Sequence, residues 1–312
     1  MSTFSSRHVT LLVAGASLAL VAGCGNSSDT KSDGKGTTAP EGSSKVTVVA
    51  STNVYGDIAQ QIGGDKVDVT SIISDPAQDP HSYEASTQNQ LALSKAKLVI
   101  ENGGGYDDFI DRMLKSSKSS AEVINAVDVS GKTAPKGGEL NEHVWYDFPT
   151  TAKIADRIAA SLGKADPTDA AAFTGNAKAF KAKLQPLEAK EAQIKKAHAG
   201  DGIAITEPVP LYLTGASGLV NRTPEDFSEA IEEGDDVSPK VLHDTLALFT
   251  GKKVEALVYN EQTSGPETEK VKAAAKEAGI AIVPVTETLP RGMDYVGWMT
   301  SNVDALAHAL DK

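Results

Sequence analysis

Residues 166–199 read DPTDAAAFTGNAKAFKAKLQPLEAKEAQIKKAHA, and this stretch organises the rest of the chain. Asp166 and Thr168 are both suited to cap a helix that runs on to Ala199. Its apolar residues recur at helical spacing, at positions 173, 177, 180, 184, 187 and 194. Pro186 predicts that the helix is kinked or divided. Roughly thirty helical residues extend about 45 Å, which is long enough to span a whole molecule.

The segments on either side of this helix alternate short apolar strands with helices. Strands are predicted before it at 46–50 (VTVVA), 67–73, 98–101 (LVIE) and 121–124, with helices at 54–62, 89–94 and 106–114. Strands are predicted after it at 202–206 (GIAIT), 256–259 (ALVY) and 280–285 (IAIVPV), with helices at 239–249, 266–278 and 294–307. Such alternation predicts mostly parallel sheets with ligand sites at the carboxyl ends of their strands.

The likeness of the two halves predicts an α/β protein built from two α/β lobes, each with a mostly parallel sheet, joined by one long rigid helix. The expected boundaries are 45–165 for the N-terminal lobe, 166–199 for the linking helix and 200–312 for the C-terminal lobe. The alternative for the central stretch is a plain surface helix. The repeated architecture favours a rod between lobes, with the ligand site in the cleft between them.

The N-terminus predicts export and lipid attachment. A weakly basic start is followed by an apolar run at 9–22, which is too short to span a bilayer and is typical of a signal peptide. Small residues then precede Cys24, as in a bacterial lipobox, so we expect a signal peptide over 1–23 and a lipid on Cys24. Residues 24–44, rich in Ser, Gly and Thr, predict a flexible tether that holds the protein at the outer face of the bacterial cell membrane. The alternative for Cys24 is an ordinary buried or free thiol.

Charge and cysteine content exclude several classes. The net charge of −12 argues against binding to nucleic acid or directly to anionic lipid. Cys24 is the single cysteine, so no disulfide forms within the chain and the core must supply its stability. Nothing in the sequence indicates an oligomer, and we expect a monomer.

Four short segments carry groups suited to metal chemistry. They are DPHSYE at 79–84, NEHVWYD at 141–147, TEP at 206–208 and TET at 286–288. Each lies in a loop or just after a predicted strand, where side chains of an open α/β sheet converge on one crevice. Imidazole and carboxylate groups suit Zn²⁺ and Mn²⁺. Taken singly, each histidine or glutamate is as easily explained as a solvated or capping side chain.

Taken together, these segments resemble the metal-binding lipoproteins of zinc and manganese ABC importers, called cluster A-I solute-binding proteins. The motifs are DPHSYE, ENGGGYD at 101–107 and HVW at 143–145, and the resemblance runs from Lys45 to the C-terminus. It implies that His81, His143, Glu207 and Glu287 bind the metal. That family commonly has Asp where Glu287 stands, so Glu261, which follows the strand at 256–259, is the competing fourth ligand.

The resemblance implies a carrier and not an enzyme. It implies capture of one Zn²⁺ or Mn²⁺ ion as cargo and delivery to an ABC importer, with the permease and its ATPase as partners. The histidine-rich loop of many zinc carriers is absent, because residues 129–140 contain no histidine. Two alternatives are a secreted metallohydrolase, in which Glu287 or Glu261 serves as general base, and a metal-linked surface adhesin.

The remaining histidines and the glycine run are expected to be structural. His198, His243 and His308 lie on or near predicted helices, where a solvated or capping role explains them. Gly103–Gly105 lacks the Lys-Ser/Thr of a phosphate loop, so we expect it to provide a tight turn near the cleft.

Overall fold

The computed structural model describes residues 45–312 apart from 76–77, 79–82, 85 and 137. The first lobe comprises β1 (Val46–Thr52), α1 (Asn53–Gly63), β2 (Val67–Ile73), α2 (Thr87–Lys95), β3 (Leu98–Glu101), α3 (Phe109–Ser117), β4 (Glu122–Asn125), α4 (Ala126–Ser130) and α5 (Phe148–Ala165). Its strands form a parallel sheet in the order β2-β1-β3-β4. Every residue of β3 is buried, as expected for a central strand with helices on both faces.

A single helix, α6 (Ala170–His198), leads to the second lobe. That lobe comprises β5 (Gly202–Ile205), α7 (Leu211–Ala216), β6 (Val220–Asn221), α8 (Glu225–Glu232), α9 (Pro239–Thr250), β7 (Ala256–Asn260), α10 (Pro266–Glu277), β8 (Ala281–Val285) and α11 (Tyr295–Leu310). Its parallel sheet has the order β6-β5-β7-β8, the same arrangement as in the first lobe. The prediction of two α/β lobes joined by one long helix is therefore confirmed.

The strand order predicts the position at which each sheet would bind a ligand. Neighbouring strands β1 and β3, and likewise β5 and β7, connect to opposite sides of their sheets. Ligands of open α/β sheets bind beyond the carboxyl ends of such strands. The loops after β3, β5, β7 and β8 are therefore positioned to form one site between the lobes.

The linking helix differs from the prediction at its start and at its proline. It begins at Ala170 with Asp169 at the cap, and neither Asp166 nor Thr168 occupies that position. Pro186 does not divide it, so that alternative was wrong. The cost of one missing backbone donor is outweighed by an apolar face that continues on both sides of the proline. Its predicted apolar positions are all buried: Phe173, Ala177, Phe180, Leu184, Leu187 and Ile194.

Helix α6 packs against both lobes. It contacts α1 and α5 of the first lobe and α7 and α11 of the second. The ring of Phe180 lies 5.9 Å from that of Tyr295, centroid to centroid. Among the described residues, no helix is both long enough and apolar enough to cross a bilayer.

Direct hydrogen bonds also join the lobes. The Tyr295 hydroxyl donates to the Trp145 carbonyl at 2.5 Å. The Asn53 side chain bonds both the carbonyl and the amide of Leu289, each at 2.9 Å. Tyr146 donates to the Thr286 carbonyl at 2.7 Å. Because these groups are mostly buried, separating the lobes would leave several of them unsatisfied.

Helix α6 also carries one buried acidic side chain, that of Glu191. Glu191 is only 5% exposed, and among the described residues its Oε1 atom has no hydrogen-bond partner. Burial, together with the charges of Asp147 and Glu188, raises the pKa of Glu191 from the ordinary 4.5 to about 8. The folded protein therefore retains a proton that the unfolded chain releases, so stability falls as pH rises between these two values.

We expect Glu191→Gln to stabilise the protein in alkaline solution, because the amide needs no proton to be neutral. The midpoint of thermal unfolding should rise by about 2–4 °C near pH 9, on the order of 1 kcal/mol. Near pH 5, at about the ordinary pKa, the effect should almost vanish. Glu277→Gln, at an exposed acid of α10, is the matched control and should change neither value. An equal gain at both pH values would contradict this account.

Candidate metal centre

His143 is fully buried in the loop before α5, with its imidazole orientation set by Asn141. The Asn141 Nδ2 atom donates to the Pro208 carbonyl at 3.0 Å, which identifies Oδ1 as the acceptor. Oδ1 lies 2.9 Å from His143 Nδ1 and also accepts the His143 backbone N–H at 3.0 Å. Nδ1 must therefore carry the proton, and in the neutral ring Nε2 holds the lone pair. This is the tautomer that a metal ion binds through Nε2.

Aromatic rings enclose the other faces of His143. Trp145 and Tyr106 lie 5.0 Å and 5.7 Å away, centroid to centroid, both in edge-on arrangements. All three side chains are buried. The imidazole is thus held in a dry pocket that limits its rotation.

Glu207 follows β5 directly and is 2% exposed. The Nδ2 atom of Asn260, at the end of β7, donates a short hydrogen bond to Glu207 Oε2. The Oδ1 atom of Asn260 accepts the backbone N–H of Gln262 at 3.1 Å, so the amide cannot turn over without losing that bond. Strand β7 therefore fixes the position of the Glu207 carboxylate.

Glu287 follows β8 and meets the same amide. Asn260 Nδ2 donates to Glu287 Oε1 at 2.8 Å, and the Tyr106 hydroxyl donates to Oε2 at 3.2 Å. Gln262 Oε1 accepts the Glu287 backbone N–H at 2.5 Å and anchors the loop. Burial and the charge of Glu287 raise the pKa of Tyr106, so its hydroxyl remains a donor.

Two predicted site residues require separate mention. Glu261, the competitor of Glu287, is exposed, and its backbone N–H pairs with the Val285 carbonyl at 3.0 Å. His81 lies outside the described residues, as does Cys24 with its predicted lipid. The structure thus brings His143 and Glu287 to the lobe interface and leaves Glu261 at the surface.

Sequence reasoning missed Glu142 and Glu232. Potential ligand atoms of Glu142, His143 and Glu232 all lie within 4.8 Å of one another. Glu232 Oε1 is 3.4 Å from His143 Nε2, and its side chain is 10% exposed. Glu232 ends α8, in a segment to which no element was assigned. The signal was present, because residues 225, 229 and 232 fall on one face of a helix whose other face carries Phe227.

The carboxylates of this region act on one another. Burial raises the pKa of Glu232, and the charges of Glu142, Glu207 and Glu287 raise it further. Desolvation and like charges both disfavour the ionised form. A bound dication reverses both effects, because it attracts every carboxylate around it.

Glu142 and Glu232 line a cleft of about 1010 Å³. Its lining includes Gly104, Asn141 and Tyr212. Six glutamates also line it: Glu139, Glu142, Glu225, Glu229, Glu232 and Glu233. A cationic ligand is favoured in such surroundings.

The three histidines expected to be structural take no part in this group of side chains. His198 pairs with Asp201 at 3.0 Å, whereas His243 and His308 are exposed. Gly103 has a φ of 76°, and a Cβ atom at this position would fall 2.1 Å from the Asn125 side chain. This loop therefore provides the expected tight turn beside the cleft.

Two parallel-sheet lobes joined by one long helix, with imidazole and carboxylate groups at their interface, define a two-lobed binding protein. Residues 48–309 match the family described as zinc-uptake complex component A, periplasmic, and the chain belongs to that family. The resemblance inferred from the sequence motifs is thereby confirmed. The family is one of metal-uptake components.

Individual relatives agree with this assignment. The chain is 27% identical over 307 residues to the manganese-binding lipoprotein MntA of Bacillus subtilis, covering 92% of this chain and 94% of that protein. It is 28% identical over 290 residues to the manganese ABC transporter substrate-binding lipoprotein scaA of Streptococcus gordonii, covering 86% and 90%. The fold matches that of FpvC from Pseudomonas aeruginosa in complex with Mn²⁺, with a TM-score of 0.72, 22% identity and coverage of 86% and 98%.

We expect Asn141→Ala to release the imidazole of His143. Loss of the Oδ1 acceptor should allow the Nε2–H tautomer, which ¹⁵N chemical shifts of the ring report directly without any metal. Affinity for Mn²⁺ or Zn²⁺ should fall by about 10–100-fold, the usual effect of losing an orienting partner. Asn141→Asp retains the acceptor and should retain the Nδ1–H tautomer. An unchanged tautomer in Asn141→Ala would exclude this role.

Proposed function

We propose that this protein captures one divalent transition-metal ion outside the cytoplasm and delivers it to an ABC importer. The observation that carries the proposal is a chain of contacts across the lobes: Tyr106 packs edge-on against His143 and donates to Glu287, which shares its Asn260 donor with Glu207. Asn141 orients the imidazole, and Asn260 bonds both carboxylates. A surface site would not require such buried, fixed and mutually repelling groups.

The proposed ligands are His81, His143, Glu207 and Glu287. Glu287 is preferred to Glu261 because it is buried, bonded to the amide that also bonds Glu207, and near the aromatic wall of the site. Glu261 is exposed. His81 enters the set through the sequence motif alone.

Mn²⁺ is the proposed cargo, with Zn²⁺ as its competitor. Carboxylate oxygen is a hard donor that suits Mn²⁺, and the proposed set contains no sulfur. The relatives named for manganese support this choice. A mixed nitrogen and oxygen site binds Zn²⁺ more tightly than Mn²⁺ unless its geometry disfavours Zn²⁺. We therefore expect both ions to bind.

The proposed partners are a permease and its ATPase, reached while a lipid on Cys24 holds the protein at the outer face of the cell membrane. We infer that it acts as a monomer and releases its cargo without turnover, and therefore not as a metallohydrolase. The named lipoproteins of ABC transporters among its relatives support this part of the proposal.

Native mass spectrometry with elemental analysis tests the carrier function. The wild-type protein should hold one equivalent of Mn or Zn, and His81→Ala/His143→Ala should hold none. His243→Ala/His308→Ala removes two exposed histidines and should retain the metal. A wild-type protein that binds neither ion after challenge with both would refute the proposal.

Single substitutions separate the two candidates for the fourth ligand. Glu287→Gln should weaken Mn²⁺ binding by about 10–100-fold, because a neutral amide replaces an anionic oxygen donor. Glu261→Gln makes the same chemical change at an exposed position and should alter affinity less than about twofold. Isothermal titration of both variants measures the difference. The reverse order of effects would assign the ligand to Glu261.

A further inference from the structure

We propose that Glu232 is an additional ligand of the cargo metal, supplied by α8, and that it favours Mn²⁺ over Zn²⁺. The inference rests on the proposed function and deepens it. It adds to the proposed four-residue set a side chain that the sequence motifs do not indicate.

His143 and Glu232 face each other across the two lobes. His143 Nδ1 is engaged by Asn141 Oδ1, so the lone pair of the ring lies on Nε2. Glu232 Oε1 stands 3.4 Å from that nitrogen. Both atoms offer lone pairs to a cation when the carboxyl group is ionised, so an ion placed between them would attract both.

The separation suits one metal ion. Ligand atoms about 2.1 Å from the same ion stand roughly 3.0 Å apart at 90° and roughly 3.6 Å apart at 120°. The 3.4 Å separation between His143 Nε2 and Glu232 Oε1 lies between these values. The separation therefore allows both atoms to bind the same ion.

Backbone placement supports the same conclusion. Glu232 lies in the last turn of α8, in the second lobe, whereas His143 belongs to the loop before α5, in the first lobe. Tyr106, whose ring lies 5.7 Å from that of His143, donates to Glu287 Oε2 at 3.2 Å, so a proposed carboxylate ligand adjoins the same aromatic residue. A metal ion at this point would bind both lobes.

A fifth ligand atom at the site would change its preference between Mn²⁺ and Zn²⁺. Zn²⁺ prefers four ligands in a tetrahedron, whereas Mn²⁺ accepts more donors and prefers oxygen. A carboxylate added to two imidazoles and two carboxylates therefore contributes more to Mn²⁺ binding than to Zn²⁺ binding. Glu232 would offset part of the intrinsic advantage of Zn²⁺.

The test compares Glu232→Gln with Glu277→Gln in the full chain. Glu277 carries the same charge, is exposed on α10 and does not line the cleft. Affinities for Mn²⁺ and Zn²⁺ are measured by competition with a chelating dye. Glu232→Gln should weaken Mn²⁺ binding by about 10–100-fold and Zn²⁺ binding by less than about threefold. Glu277→Gln should stay within about twofold of wild type for both.

X-ray absorption at the manganese edge provides a second measurement, which does not depend on affinity. The Mn²⁺-loaded wild type should show at least five nitrogen or oxygen neighbours, and Glu232→Gln should show fewer neighbours or a longer mean distance. A four-coordinate wild-type site, equal losses for both metals, or a Glu232→Gln protein that matches Glu277→Gln would overturn the inference. A wild type that binds neither metal would instead refute the proposed function.

Discussion

Repulsion among buried carboxylates is the constraint on which this structure depends. Glu142, Glu207 and Glu287 are each less than 9% exposed, and together they act on Glu232. Such a group of charges cannot form by collapse of an apolar core, because each carboxylate loses hydration and gains repulsion. The remainder of the fold must hold these groups in place until a cation compensates them. The strand ends, the amide donors and the interface between the lobes all serve that requirement.

The side chains that hydrogen-bond to the carboxylates and the imidazole are neutral. Asn260 and Tyr106 donate to the carboxylates, and Asn141 accepts from the imidazole. A lysine or arginine in any of these positions would satisfy the carboxylates more strongly and would compete with the cargo. Neutral donors fix the geometry and leave the charge of the site for the metal. A carrier must bind its cation and later release it. Because the groups that hold these carboxylates are neutral, the negative charge of the site stays available to attract the cation.

The sequence predicted the architecture better than the full set of groups at the centre. Apolar strands and the buried face of α6 follow local periodicity, so the first sheet, the linking helix and three strands of the second sheet were predicted from the pattern. The two-residue strand β6 is too short to show such a pattern and was missed. The end of β8 was correctly associated with Glu287 because parallel strands deliver side chains to one edge. Glu232 was missed because its contact with His143 spans almost ninety residues of the chain, and α8 is a short helix rich in acids. Helix periodicity indicates which face such a helix buries, but it does not identify the residue from the other lobe that it meets.

The interface between the lobes has a consequence for evolution and engineering. Apolar residues of both lobes and of α6 form one continuous cluster, in which Trp145 and Tyr295 are joined by a hydrogen bond. Half of the chain expressed alone would expose this surface to water and would favour aggregation over folding. Chimaeras that exchange one lobe between related carriers would therefore retain solubility only if the aromatic residues at the junction were exchanged together. In this architecture the two lobes and α6 therefore act as one folding unit.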